Sequence, residues 1–364
     1  MQFTESPEQS ELRSSVRRFL AEKSPSTAVR EQMETVAGYD DAVWKQLSVQ
    51  LGLPSLAIPE EYGGAGFSFV EQCIVLEEMG RTLYCGPFFA SAVLAATVLL
   101  KSGDEQAKSR YLPGIASGET IATLAFTDDS GGWSGNGSGL SAADGKLTGH
   151  RNFVLDGHNA ALVLATARTP EGLFLYAVDA HAAGLTATAL PTLDQTRRLA
   201  RLEFDGVEAE LIGPAEAALA ATLDVAALAL AAEQLGGAQA ALDMAVAYGK
   251  IREQFGKPIG SFQALKHRCA DLLLEVESTR SAVIYGSWAV AEDADEVPVV
   301  ASLAKAYASE TFFHAAAENI QLHGGIGFTW EHDAHLYFKR AKASELLFGD
   351  PAYHRERLAG RIGI

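Results

Sequence analysis

Apolar positions recur at helical spacing along the first stretch of the chain. VEQCIVLEEMGRTL and SAVLAATVLLKSG each gather them on one face, and turn segments such as IPEEYGGAGFS separate the runs. After residue 118 the period changes. TIATLAF, KLTGHRNFVL, ALVLATA and LFLYAVD are short runs rich in β-branched and aromatic residues, bounded by clusters such as DDSGGWSGNGSG. That alternation predicts an antiparallel β domain over 119–213. From 214 onward long helical patterns return. In QALKHRCADLLLEV, Leu265, Cys269, Leu272, Leu273 and Val276 share a face. The order is helical, then β, then helical, so the chain reads as a multidomain α+β protein: 1–118, 119–213 and 214–364. Strands and helices do not alternate, and no GxGxxG follows a strand, which disfavours a Rossmann fold.

One position breaks the third pattern. Eight apolar residues run from Val225 to Ala232, then Glu233 interrupts before Leu235. An unpaired buried carboxylate costs several kcal/mol or takes up a proton. Glu233 therefore has a cationic partner, such as Arg340 or Lys342 on another helix, or it is a tuned acid. Ala226, Leu230 and Glu233 lie on one face of the same helix, with Glu233 about two turns (~10 Å) beyond Ala226.

Composition narrows the partners. Of 364 residues, 48% are apolar and the formal net charge is -17, which disfavours nucleic acid. The three cysteines are scattered, so a disulfide framework and a thiolate zinc site are not expected. His323, His332 and His335 cluster without a carboxylate-histidine spacing that would complete a metal site. The N-terminal residues show no basic start followed by an apolar run, and no apolar run approaches the ~20 residues of a membrane helix. A reducing cytoplasm is the expected compartment.

Two C-terminal segments carry candidate ligand chemistry. In YGKIREQFGKPIGSFQ, Tyr248 to Gln263, Arg252 offers a guanidinium fork, and Gln254 and Gln263 offer amides. In QLHGGIGFTWEH, Gln321 to His332, Gly324, Gly325 and Gly327 permit close approach of backbone to a ligand. Taken together, RxQFGxPIxxFQ followed about 60 residues later by QxxGGxGFxxE resembles the acyl-CoA dehydrogenase family of flavoproteins. PEEYGGAGFSFVEQCIVLEEMGR is similar to that family's N-terminal signature, and the resemblance spans nearly the whole chain.

The resemblance implies an N-terminal helical domain, a middle β-barrel or sandwich and a C-terminal four-helix bundle, with FAD between the last two and a neighbouring subunit. It assigns Arg252, Gln254, Phe255 and Gln263 to the flavin nucleotide across the subunit interface. Gln321, Gly324 and Gly325 fall to the diphosphate and ribose. In the β domain, Phe126 and Thr127 match the loop at the flavin's pyrimidine edge, and Phe153 matches the ring cover. Leu155 stands where a threonine normally reaches flavin N5. Asp224, Ala226 and Leu230 match positions near the acyl-CoA.

The implied reaction is α,β-dehydrogenation of an acyl-CoA thioester, with electrons passing to an electron-transfer flavoprotein. A carboxylate base removes the Cα proton, and here both usual base positions are empty: one is Ala226, the other Phe348. Glu233 and Asp350 are the remaining candidates, and Asp350 also suits the cap before Pro351. The chain resembles the short actinobacterial type, which can form heterotetramers with a homologous subunit on bulky thioesters; a homotetramer or such a heterotetramer is expected. A base-lacking subunit, a flavin oxidase and a flavin-free CoA-thioester binding protein are the alternatives.

Overall fold

The computed structural model describes residues 4–133 and 139–364. The tail of the Gly/Asn/Ser cluster, residues 134–138, lies outside the described residues. Six helices precede the first strand: α1 (Pro7–Lys23), α2 (Ser26–Glu34), α3 (Asp41–Val49), α4 (Phe69–Arg81), α5 (Ala96–Lys101) and α6 (Glu105–Ser117). Local chemistry sets their ends. Ser6 and Gln9 form a capping box on α1, with Pro7 at its first position. Asp40 and Asp104 cap α3 and α6 through their carboxylates. A fully buried π-helical segment, Phe89–Ala95, runs directly into α5.

The middle strands are β1 (Ala122–Ala125), β2 (Leu140–Ala143), β3 (Lys146–Leu155), β4 (Leu162–Thr169), β5 (Gly172–Asp179), β6 (Leu185–Ala189), β7 (Leu199–Glu208) and β8 (Glu210–Pro214). They form one sheet in the order β6-β7-β3-β2-β4-β5-β8, with β1 added against β4. Most pairs are antiparallel, as expected. The exceptions are β1 and β2, which each pair with β4 in parallel, so the sheet is mixed. Both parallel neighbours come from far apart in sequence, which a local alternation pattern does not register. Leu147, Val154, Val163, Leu202 and Phe204 build the core on one face of this sheet.

The C-terminal helices are α7 (Glu216–Ile251), α8 (Gln263–Ala291), α9 (Val297–His323), α10 (Ala334–Leu346) and α11 (Pro351–Ile362). A two-residue hairpin links α7 to α8, with β9 (Glu253–Gln254) paired to β10 (Lys257–Pro258). α8, α10 and α11 all pack on α9. α7 is long and apolar enough to cross a membrane, but 89% of its most apolar stretch is buried in the protein.

The two compact units do not follow chain order. One gathers Met1–Arg30, Val70–Tyr84 and Ala227–Ile364; the other gathers Glu31–Phe69 and Cys85–Ala226. In the first unit α4 crosses α7 backbone to backbone. A Cβ on Gly80 would lie 1.9 Å from the Glu233 carbonyl oxygen, and one on Gly236 would lie 1.8 Å from that of Glu77. Only glycine fits either position.

Candidate active site

Glu233 sits at that helix crossing and is almost fully buried. Arg340 of α10 donates Nη1–H to its Oε1 at 2.6 Å, and Arg340 Nη2 reaches the Tyr84 carbonyl at 3.4 Å. The carboxylate that interrupts the apolar run is thus one half of a buried ion pair. Asp350 is also engaged: its Oδ1 accepts from the Tyr353 N–H at 2.8 Å and caps α11. Phe348, at the usual base position, is 3% exposed and has φ +62°.

The described non-glycine residues with positive φ are few, and three are site candidates: Phe153, Phe255 and Phe348. Left-handed backbone under a bulky side chain is strained and recurs where a site holds a residue in place. Phe153 gains it from a bulge in β3, where the register against β7 shifts between Arg151 and Val154. Phe255 and Gly256 both have positive φ between the paired residues Gln254 and Lys257. That is a type I′ turn, which favours Asn-Gly. Phenylalanine stands at its first position instead, and its side chain is 91% exposed.

The nucleotide candidates of the first unit share a common state. Arg252, Gln254, Phe255, Gln263, Gln321, Gly324 and Gly325 are all exposed. Among the described residues, the Arg252 guanidinium and the Gln263 and Gln321 amides have no side-chain partner. Gln254 donates to the Glu253 carbonyl at 2.8 Å. A Cβ placed on Gly324 or Gly325 would meet nothing within 4 Å, so the backbone there is open to a ligand.

The second unit holds Phe126, Thr127 and Phe153 together where β1 ends against β3. Thr127 is buried, and its hydroxyl donates to the Asn152 carbonyl, while the Asn152 N–H donates back to the Thr127 carbonyl at 3.0 Å. The hydroxyl proton expected at the pyrimidine edge is therefore engaged within the sheet. The Leu155 carbonyl accepts from Thr123 at 2.5 Å. Arg151, next in line, is fully buried and donates to the Thr166 carbonyl from Nε at 3.1 Å. Burial pulls its guanidinium down to about 10. Asp224, Ala226 and Leu230 lie on α7 and are buried.

Two titratable groups escaped the sequence reading. Lys305, in the apolar run SLAKAYASE of α9, is fully buried. Burial lowers its pKa to about 7, with Glu345 and Asp350 opposing. His354 of α11 is pushed down to about 3, first by burial and then by Lys305 and neighbouring arginines. For Lys305 the signal was the one that exposed Glu233, a lone charge inside an apolar helix; His354 lies among the charged residues of α11 and carried no such signal.

The profiles of the acyl-CoA dehydrogenase N-terminal and C-terminal domains match residues 6–119 and 216–363. The chain belongs to the acyl-CoA dehydrogenase family. It is 38% identical to acyl-CoA dehydrogenase IpdE2 of Mycolicibacterium smegmatis, over 98% of this chain and 99% of that one. Its structure resembles a variant of the Tcur3481–Tcur3483 steroid ACAD, with a TM-score of 0.89, 32% identity, and coverage of 98% of this chain and 97% of that one. It also resembles the ChsE4–ChsE5 complex from Mycobacterium tuberculosis, with a TM-score of 0.91, 30% identity, and coverage of 100% and 99%.

This acyl-CoA dehydrogenase-family chain is an oxidoreductase, and the cofactor of the family is FAD. The exposed donors fit that group. A dinucleotide diphosphate needs a guanidinium, amide N–H groups and accessible backbone, and Arg252, Gln263, Gln321 and the Gly324–Gly325 backbone supply them.

Proposed function

We propose that this chain is the base-lacking subunit of a heteromeric acyl-CoA dehydrogenase that introduces an α,β double bond into a bulky acyl-CoA, with electrons leaving to an electron-transfer flavoprotein. One observation carries the reading. Both usual base positions hold apolar residues, Ala226 and Phe348, and both substitute carboxylates are engaged, Glu233 by Arg340 and Asp350 as a helix cap. A proton acceptor for Cα must have a lone pair free to face the substrate. The homologous subunit supplies it. The likeness to a steroid ACAD and to the two-component ChsE4–ChsE5 complex supports a bulky substrate and a hetero-oligomer.

FAD, when bound, takes the hydride from Cβ. The chain's own residues bind and orient. Arg252, Gln263, Gln321 and the Gly324–Gly325 backbone would hold the diphosphate and ribose. Phe255, exposed at its hairpin, would reach the nucleotide of a sister subunit, and Phe153 would cover the ring. Asp224, Ala226 and Leu230 border the thioester, and the small Ala226, Ala227 and Ala229 leave room for a wide acyl group.

The test is anaerobic titration with a steroid side-chain CoA thioester, read by flavin bleaching. The chain alone leaves the flavin oxidised, and the complex with its homologous subunit bleaches. Bleaching by the chain alone, lost in Glu233→Gln with FAD retained, would make Glu233 the base and overturn the reading. Hydrogen peroxide formed in step with product would make the complex an oxidase.

A further inference from the structure

Lys305 is used in full. Its Nζ donates to Ser309 Oγ at 2.9 Å, to the Glu345 carbonyl at 3.2 Å and to the Gly349 carbonyl at 3.0 Å. Ser309 is bonded in turn by Gln234 Nε2 of α7 at 3.0 Å. From α11, His354 Nε2–H donates to the Phe348 carbonyl at 3.1 Å, and its Nδ1 faces Ser302 Oγ at 3.5 Å. Carbonyls at the end of α10 and in the α10–α11 turn are therefore held by side chains from two other helices.

The charged groups around Lys305 are otherwise occupied. On α10, Glu345 pairs with Lys342 at 2.7 Å. On α11, Asp350 caps the helix and Arg361 bonds Ser302 at 2.9 Å. Among the described residues, no hydrogen bond or ion pair joins the ammonium to a carboxylate. A lysine buried with no carboxylate in direct contact is costly in a way that a methionine would not be. What the lysine accomplishes is local. It pins both sides of Phe348, whose left-handed backbone would relax if the turn were free.

We propose that Lys305 is a positioning residue of the acyl site: it fixes the α10–α11 turn so that Phe348 stands as an apolar wall where relatives carry their base. The proposal rests on the functional reading above. It adds that the empty base position is a shaped surface and that a residue on a different helix, α9, sets its shape.

The test is a double-mutant cycle in the FAD-loaded complex. The readout is binding of non-oxidisable acyl-CoA thioethers, one with a C8 chain and one polycyclic. Lys305→Met weakens thioether binding about tenfold with FAD binding unchanged, and in a Phe348→Ala background it changes binding less than about twofold. Hydrogen exchange across 345–350 rises in Lys305→Met. An equal loss of binding in both backgrounds, or unaltered exchange in the turn, overturns the proposal and leaves Lys305 as a core residue. If the unmutated complex binds no thioether, the functional reading fails, and the exchange measurement alone decides whether Lys305 holds the turn.

Discussion

Glu233 and Arg340 show what a buried charge requires. Removing one partner of a buried pair strands the other and costs about 3–5 kcal/mol. Glu233→Gln is therefore expected to lower unfolding stability by about 3 kcal/mol. Its flavin spectrum should stay that of the parent. Denaturant titration beside absorbance separates this outcome from loss of a base, which would leave stability intact. His354 makes a pH prediction. Its folded pKa is about 3, against about 6.5 in an unfolded chain. Between those values the unfolded state binds the extra proton, so stability rises with pH through this window. Denaturation midpoints across roughly pH 4 to 6 should rise less steeply in His354→Gln. Lys305 acts in a higher window. Its pKa is about 7 when folded and about 10.4 when unfolded. Stability again rises with pH between the two, and Lys305→Met should remove that rise.

At the scale of elements, helix contact is decided by atoms that are missing. Gly80 and Gly236 let α4 and α7 touch backbone to backbone. The obstacle to any side chain there is a carbonyl oxygen, which cannot rotate away. Gly236→Ala is expected to cost at least about 1–3 kcal/mol, measured as a fall in melting temperature. α4 also carries the buried Glu77 and Glu78, which pair with Arg13 and Arg17 of α1 and, for Glu77, with Arg280 of α8. Burial raises the Glu78 carboxyl, but Arg17 and Arg13 outweigh it and hold the group below its ordinary range. Its contribution is present above about pH 4.3, the unfolded value, and is lost as pH falls through the folded one. Irregular elements carry candidate site residues too. The β3 bulge turns Phe153, and the β9–β10 hairpin thrusts out Phe255.

For the molecule as a whole, period and motif made much of the architecture readable. Helical spacing marked α4, α8 and the apolar α7, and short alternating runs marked β3 to β5. Glu233 announced its need of a partner because a lone carboxylate in eight apolar residues has few physical options, and Arg340 was among the partners it required. Other features were illegible because they depend on distant pairing. The parallel register of β1 on β4, the non-contiguous compact units and the use of the Thr127 hydroxyl by Asn152 are set by tertiary placement. Lys305 carried a visible signal but lay outside every motif. Exposed Ile251, Phe255, Phe328 and Trp330 also belong to this scale, because a lone chain leaves them in water. Phe255→Asp is expected to shift the assembly to smaller species in sedimentation and to release flavin in the same step. Release of flavin without dissociation would restrict Phe255 to the nucleotide.

The hairpin tip also bears on attempts to make this protein more robust. Asparagine at position 255 would relax a backbone that phenylalanine holds under tension, and it would take a greasy ring out of water. A screen that rewards heat tolerance or soluble yield in the isolated chain would therefore enrich that change early. The survivors would be hardier as single polypeptides and, with Phe255 in its proposed role, poorer at gripping a neighbour's nucleotide.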